Sequence, residues 1–89
     1  MIFMGLFMSI HTHNFVNNYD GGKIVFGLDR ETDEKSLIAY LQKFTDDEMM
    51  QVLVKRLSDD DISRILDYVL GILKTHLKEE EYHQLFLKD

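Results

Sequence analysis

The chain has no cysteine and no proline among its 89 residues, and no long uninterrupted apolar segment. Without cysteine there is no disulfide framework, no thiolate zinc site and no cysteine nucleophile, which is typical of proteins in a reducing compartment. A membrane-spanning helix needs about 20 apolar residues in succession, and no part of the sequence supplies them. We therefore expect a soluble cytoplasmic protein that does not bind membranes.

The size and composition of the chain indicate one ordinary globular domain over residues 1–89. Hydrophobic residues make up 45% of the sequence and charged residues 29%, values close to those of typical globular proteins. A domain of this length buries only about 60% of the surface that its unfolded chain would expose, so its stability margin is small. Association with another chain would increase that margin.

The first eight residues are apolar, but their pattern does not predict a signal peptide. Met1 has no basic region after it, and the apolar run reaches polar residues at Ser9, too early for a hydrophobic region and a cleavage site. Residues 1–8 are either an extension from a wrongly assigned start codon, with Met4 or Met8 as the true start, or an apolar arm that docks on another surface. The sequence leaves both alternatives open.

The negative charge is concentrated in the second part of the chain. The net charge is −6. The only charged residues among residues 1–28 are Asp20 and Lys23, whose charges cancel. Nucleic-acid binding depends on Lys and Arg side chains that neutralise phosphates. The acidic surface over residues 29–89 therefore disfavours nucleic acid as a partner and favours a protein partner with a basic face.

Residues 9–28 have the pattern of a β-hairpin. Two segments rich in β-branched and aromatic residues flank Asp20-Gly21-Gly22, where the glycines permit the positive φ of a tight turn. In the second predicted strand Ile24, Phe26 and Leu28 share one face, which we expect to pack against the rest of the domain.

After Leu28 the apolar residues no longer recur at every second position but at the three- and four-residue spacing of a helix. Polar and acidic starts at Thr32, Thr45 and Ser58 are followed by aliphatic residues at helical spacing. Thr45 with Glu48 has the pattern of a capping box, and Ser58 with Asp61 has the same pattern with a shorter acidic side chain. We predict an α+β fold, in which the N-terminal β-hairpin (about 9–28) is followed by three or four short amphipathic helices that form a small bundle. The predicted helices span about 33–44, 46–57, 59–77 and 79–87, with a break near Lys78.

The stretch from Thr45 to Leu70 resembles the short-helix runs in the cytoplasmic domains of magnesium channels and of flagellar motor-switch proteins. In those domains polar-acidic starts alternate with leucine-rich ends. The resemblance covers under a third of the chain and includes no catalytic motif. It implies short packed helices and no particular activity.

The predicted second and third helices carry more apolar surface than one packed face needs. A single packed face requires an apolar stripe of roughly 100°, and large exposed apolar patches mark interaction sites. We predict a homo-oligomer, most simply a two-fold dimer, whose interface includes Met49, Met50, Leu53, Val54, Leu57, Ile65, Val69 and Ile72. The alternative is a monomer in which the hairpin and the other helices cover these side chains.

Four histidines suggest a second hypothesis, a metal-binding protein. His76, Glu80 and His83 would line one stripe of a helix, and His11 and His13 share a face of a predicted strand, so they could complete a zinc or iron site. No H-E-x-x-H motif supports this set, and isolated histidines are more often structural.

No motif indicates a reaction or a cofactor. The sequence has no G-x-S-x-G elbow and no phosphate-binding glycine loop. The acidic triplet Asp59-Asp60-Asp61 fits the first turn of a helix, where carboxylates meet the free amides, better than a cation site. We therefore predict a non-enzymatic protein–protein interaction or regulatory module without a cofactor.

Overall fold

A computed structural model describes residues 10–89 of the chain. Helices account for 75% of them, and none lies in a β-strand. The predicted α+β fold is therefore wrong, because the part of the predicted hairpin that the structure describes contains no sheet. The chain divides into two compact units, one ending at Lys55 and the other formed by Arg56–Asp89.

In the first unit a long helix is packed against a short one. Its helices from residue 10 onward are α1 (Asn14–Asn18), α2 (Arg30–Phe44) and α3 (Asp47–Leu53), with a 3₁₀ turn at Gly21–Lys23. A second 3₁₀ turn, Val54–Arg56, lies at the end of this unit and the start of the next. α1 packs on α2, and the only buried apolar residues among residues 10–89 are Val16 and Ala39, one from each of these helices. The described residues of this unit therefore form a very small apolar core.

The predicted second strand is instead an irregular segment bonded to side chains of α2. The backbone N–H of Val25 donates to the hydroxyl of Ser36 at 3.0 Å, and that hydroxyl lies 3.3 Å from the carbonyl oxygen of Lys23, to which it donates. The N–H of Gly27 donates to the carboxylate of Asp33 at 2.8 Å. Because buried backbone groups need a partner, these bonds take the place of a strand ladder.

The predicted first strand is replaced by a loop and a short helix because asparagine side chains bond locally to the backbone. The amide of Asn17 accepts the N–H of His11 at 2.7 Å and donates to its carbonyl oxygen at 2.6 Å. Asn18 donates to the carbonyl oxygen of Asn14 at 2.9 Å. Such bonds compete with strand pairing.

The predicted packed face of this segment is also mostly wrong. Ile24 is half-buried, but Phe26 is 53% exposed and Leu28 is 74% exposed. With no sheet, the alternation of side chains in this segment no longer decides which ones are covered.

The starts of α2 and α3 differ from the predicted ones. Asp29 caps α2 by accepting the N–H of Thr32 at 2.8 Å, so the helix begins before the predicted start. The predicted capping box at Thr45 and Glu48 is wrong, because Thr45 donates its hydroxyl to the carbonyl oxygen of Leu41, at the end of α2. Asp46 caps α3 instead.

The second unit consists of a long helix, a break and a second helical segment. α4 (Asp59–His76) is followed by α5 (Glu79–Glu81), which continues as a π-helix over Tyr82–Leu87. The predicted pairing of Ser58 with Asp61 is confirmed, since each side chain accepts the backbone N–H of the other residue. The predicted break is also confirmed, because Leu77 has extended backbone angles.

Candidate interaction surface

The described residues expose far more apolar side chain than they bury. Only Val16 and Ala39 are buried apolar residues, whereas 22 large hydrophobic residues in the same part of the chain are exposed. Most globular domains expose scattered apolar side chains, whereas large contiguous apolar patches mark interaction sites.

Part of the predicted interface lies at the surface of α3. Met49 on α3 is 44% exposed, and Val54, in the 3₁₀ turn that follows, is 45% exposed. Met50 and Leu53 are half-buried. All four residues lie within one short segment of the first unit, so α3 carries apolar surface on more than one side.

The rest of the predicted interface belongs mainly to α4. Ile65, Val69 and Ile72 are exposed, at 40–44% of their surface, and Leu57, just before the helix, is half-buried. At about 100° per residue, the aliphatic side chains of α4 cover an arc of about 160°, from Ile72 to Leu70. This arc is wider than the face that one packing contact requires.

One edge of the α4 arc faces a groove within the second unit. The groove has a volume of about 370 Å³ and is lined by Leu70, Leu73, Lys74, Leu77, Lys78, Glu79 and Tyr82. These residues come from one side of α4, from the break and from the start of the next helical segment. The other side of the arc, which includes Ile65, Val69 and Ile72, does not line this groove.

The histidines of the first unit are held by polar contacts with the junction between α2 and α3. Nδ1 of His11 lies 3.6 Å from the carboxylate of Asp46, and its Nε2 lies 3.3 Å from Nζ of Lys43. Nε2 of His13 lies 3.2 Å from the hydroxyl of Thr45. The two histidines are therefore in a loop that docks on this junction, and the predicted strand face that would have joined them does not form.

The histidines of the second unit are on separate elements. His76 is in the last turn of α4, whereas Glu80 and His83 follow the break. His83 lies 3.4 Å from the carboxylate of Glu79 and 3.0 Å from that of Asp89. Among residues 10–89 no three His, Asp or Glu side chains are arranged to hold a metal ion.

Asp46 is not among the predicted site residues, yet among residues 10–55 it is the polar side chain with the most polar contacts. Its buried carboxylate accepts the N–H of Thr12 at 2.6 Å and the N–H of Glu48 at 3.2 Å. The hydrogen bond from the Thr12 N–H lowers the pKa of Asp46; burial opposes this effect, and further bonds and the nearby His11 support it. The sequence signal was present, because Asp is a better N-cap than Thr.

Comparison of the chain with protein-family models, with curated protein sequences and with solved structures finds no match. In the part of the chain that the structure describes, no helix combines the length and the apolar character needed to cross a bilayer.

Proposed function

We propose that this protein is a non-enzymatic protein–protein interaction or regulatory module of the cytoplasm that acts as a homo-oligomer. The observation that carries the proposal is the exposed apolar surface of α3 and α4. Covering it would add apolar burial that the first unit, with only Val16 and Ala39 buried, does not supply from its described residues.

The charge of the chain supports the same proposal. The net charge of −6 keeps direct binding to nucleic acid unfavourable, since phosphates would be repelled. A protein partner with a basic face would be attracted by the same charge, so such a partner is a further expected ligand of the oligomer.

Light scattering coupled to size exclusion tests the proposal on the full chain. We expect a particle of at least twice the chain mass of 10.5 kDa, with dissociation only on dilution. A monomer at every concentration, combined with an empty pull-down from the protein's own cell extract, would show that the proposal is wrong.

A further inference from the structure

We propose that a second copy of this chain docks on one stripe of α4, and that the two α4 helices pair in an antiparallel direction. The stripe consists of Ile62, Ile65, Val69 and Ile72. This inference rests on the proposed function, because it names the partner and the surface of that association.

The four residues are spaced for helix-to-helix packing. They are separated by three, four and three positions, so they form one line along the helix, with the repeat that side chains need to interlock with a facing helix. Each is exposed at 40–48% of its surface, and none lines the groove beside the second helical segment. The stripe therefore lies on the side of α4 that does not line this groove.

The side chains of the stripe are suited to burial. All four are β-branched, and β-branched side chains on a helix already occupy one strongly preferred χ1 rotamer. Burying them therefore costs less side-chain entropy than burying flexible residues such as Met or Lys. A rigid apolar line of this kind favours a specific partner over a variable one.

The charge distribution of α4 favours pairing with a second α4 helix that runs in the opposite direction. The first turn carries Asp59, Asp60 and Asp61, and the last turn carries Lys74 and His76. Antiparallel pairing places the acidic turn of each copy at the level of the partner's basic turn, where His76, four positions after Ile72, lies on the stripe side of the helix and Lys74 lines the groove. It also aligns the helix dipoles favourably. Parallel pairing would bring the two acidic turns together, so charge complementarity favours the antiparallel arrangement.

When two α4 helices pair in antiparallel orientation and overlap over their full length, the stripe of one copy faces the stripe of the other. Ile62 of one copy then faces Ile72 of the other, and Ile65 faces Val69, so every residue of the stripe has an aliphatic partner. This is the self-complementary relation that a two-fold interface requires.

A pair of charge-matched variants tests the surface. Val69→Glu introduces a carboxylate in the stripe, whereas Gly71→Glu introduces one on the other side of α4, where open space surrounds the backbone. We expect Val69→Glu to raise the dimer dissociation constant about 100-fold or more, because each two-fold interface would bury the charge twice. Gly71→Glu should leave the dissociation constant close to that of the wild type, with circular dichroism showing the same helix content in both variants.

Cysteine crosslinking tests the direction, since the chain has no cysteine of its own. A disulfide requires Cα atoms within about 7 Å. We expect oxidation of an equal mixture of Ile62→Cys and Ile72→Cys to give a covalent dimer, and neither variant alone to do so, because equal positions in an antiparallel pair are about 15 Å apart along the axis. Crosslinking of Ile62→Cys alone would instead show parallel pairing.

The outcomes separate this inference from the proposed function. If the wild type is oligomeric and Val69→Glu remains equally oligomeric, association uses another surface, and only the inference is wrong. If the wild type is a monomer that binds a basic protein, the inference is also wrong, but the proposed role as an interaction module is still supported. A wild-type monomer whose folding is destabilised by Val69→Glu would show that the stripe is covered within the same chain.

Discussion

The carboxylate of Asp46 accepts the backbone N–H of Thr12 at 2.6 Å, across 34 positions of the sequence. The same carboxylate caps α3 through the N–H of Glu48. One side chain thus holds the loop before α1 against the junction of α2 and α3 and also starts a helix. The docking of the loop and the start of α3 are therefore expected to be lost together.

Replacement of Asp46 tests this coupling. We expect Asp46→Ala to speed hydrogen exchange at the amides of both Thr12 and Glu48 and to lower the urea midpoint, because both amides lose their acceptor. Asp47→Ala is the matched control, since the side chain of Asp47 is exposed and only its backbone N–H bonds to Thr12. Faster exchange at Glu48 with unchanged exchange at Thr12 would contradict the coupling.

Stability should decrease in acid because two capping carboxylates have lowered pKa values. The N–H and then the hydroxyl of Thr32 lower the pKa of Asp29, and the N–H of Thr12 lowers that of Asp46. The unfolded pKa is about 3.9, so the unfolded state binds protons more readily than the folded state. The stabilisation is complete above that value and is lost as pH falls through the lower folded pKa.

Urea unfolding across the acidic range measures this effect. We expect the difference in unfolding free energy between the wild type and Asp29→Asn to shrink as pH falls below about 4. A difference that stays constant down to about pH 3 would show that Asp29 has an ordinary pKa.

Ser36 should contribute more to stability than any exposed serine. Its fully buried hydroxyl accepts the N–H of Val25 and donates to the carbonyl oxygen of Lys23. We expect Ser36→Ala to cost about 1–3 kcal/mol, because both backbone groups lose their partner. Ser63→Ala on exposed α4 should be neutral or slightly stabilising, since Ala has the higher helix propensity. Equal effects of the two changes in chemical denaturation would contradict this assignment.

The capping box at the start of α4 should contribute to stability through the hydroxyl of Ser58. Ser58→Ala removes the acceptor for the N–H of Asp61, and we expect a loss of about 1 kcal/mol in unfolding free energy. Ser58→Asp should keep most of the stability, because Asp is an equally good N-cap. A full loss in both variants would mean that the hydroxyl has another role.

Replacing either of two glycines with alanine should change the stability of the protein, in opposite directions at the two positions. Gly27 has a φ of 96°, which alanine adopts only with strain, so Gly27→Ala should destabilise by about 1 kcal/mol or more. Gly71 lies inside α4 with open space around it, so Gly71→Ala should stabilise by about 0.5–1 kcal/mol through helix propensity. Thermal unfolding of the two variants measures both effects. A gain from Gly27→Ala would contradict the strained conformation.

The helices after Leu28 were predictable because their signals are local. The aliphatic spacing that predicts α4, the capping pair Ser58 and Asp61 and the break after His76 all lie within the helix or within a turn of its ends. The apolar width of α4 was predictable in the same way, since it depends only on helical spacing, whereas its exposure depends on what packs against the helix. The bond between Asp46 and Thr12 was not predictable, because the two residues are remote in sequence.

The sequence by itself determined the three main helices to within a few residues, because helix periodicity and capping act over at most four positions. The form of residues 10–28 was decided only in the folded chain, where side-chain acceptors meet the backbone amides of this segment. There β-branched and aromatic residues predict strands, yet a strand exists only where another strand accepts its backbone bonds. The side chains of Asn17, Ser36 and Asp33 accept those N–H groups instead, so the segment is a loop and a short helix bound to α2.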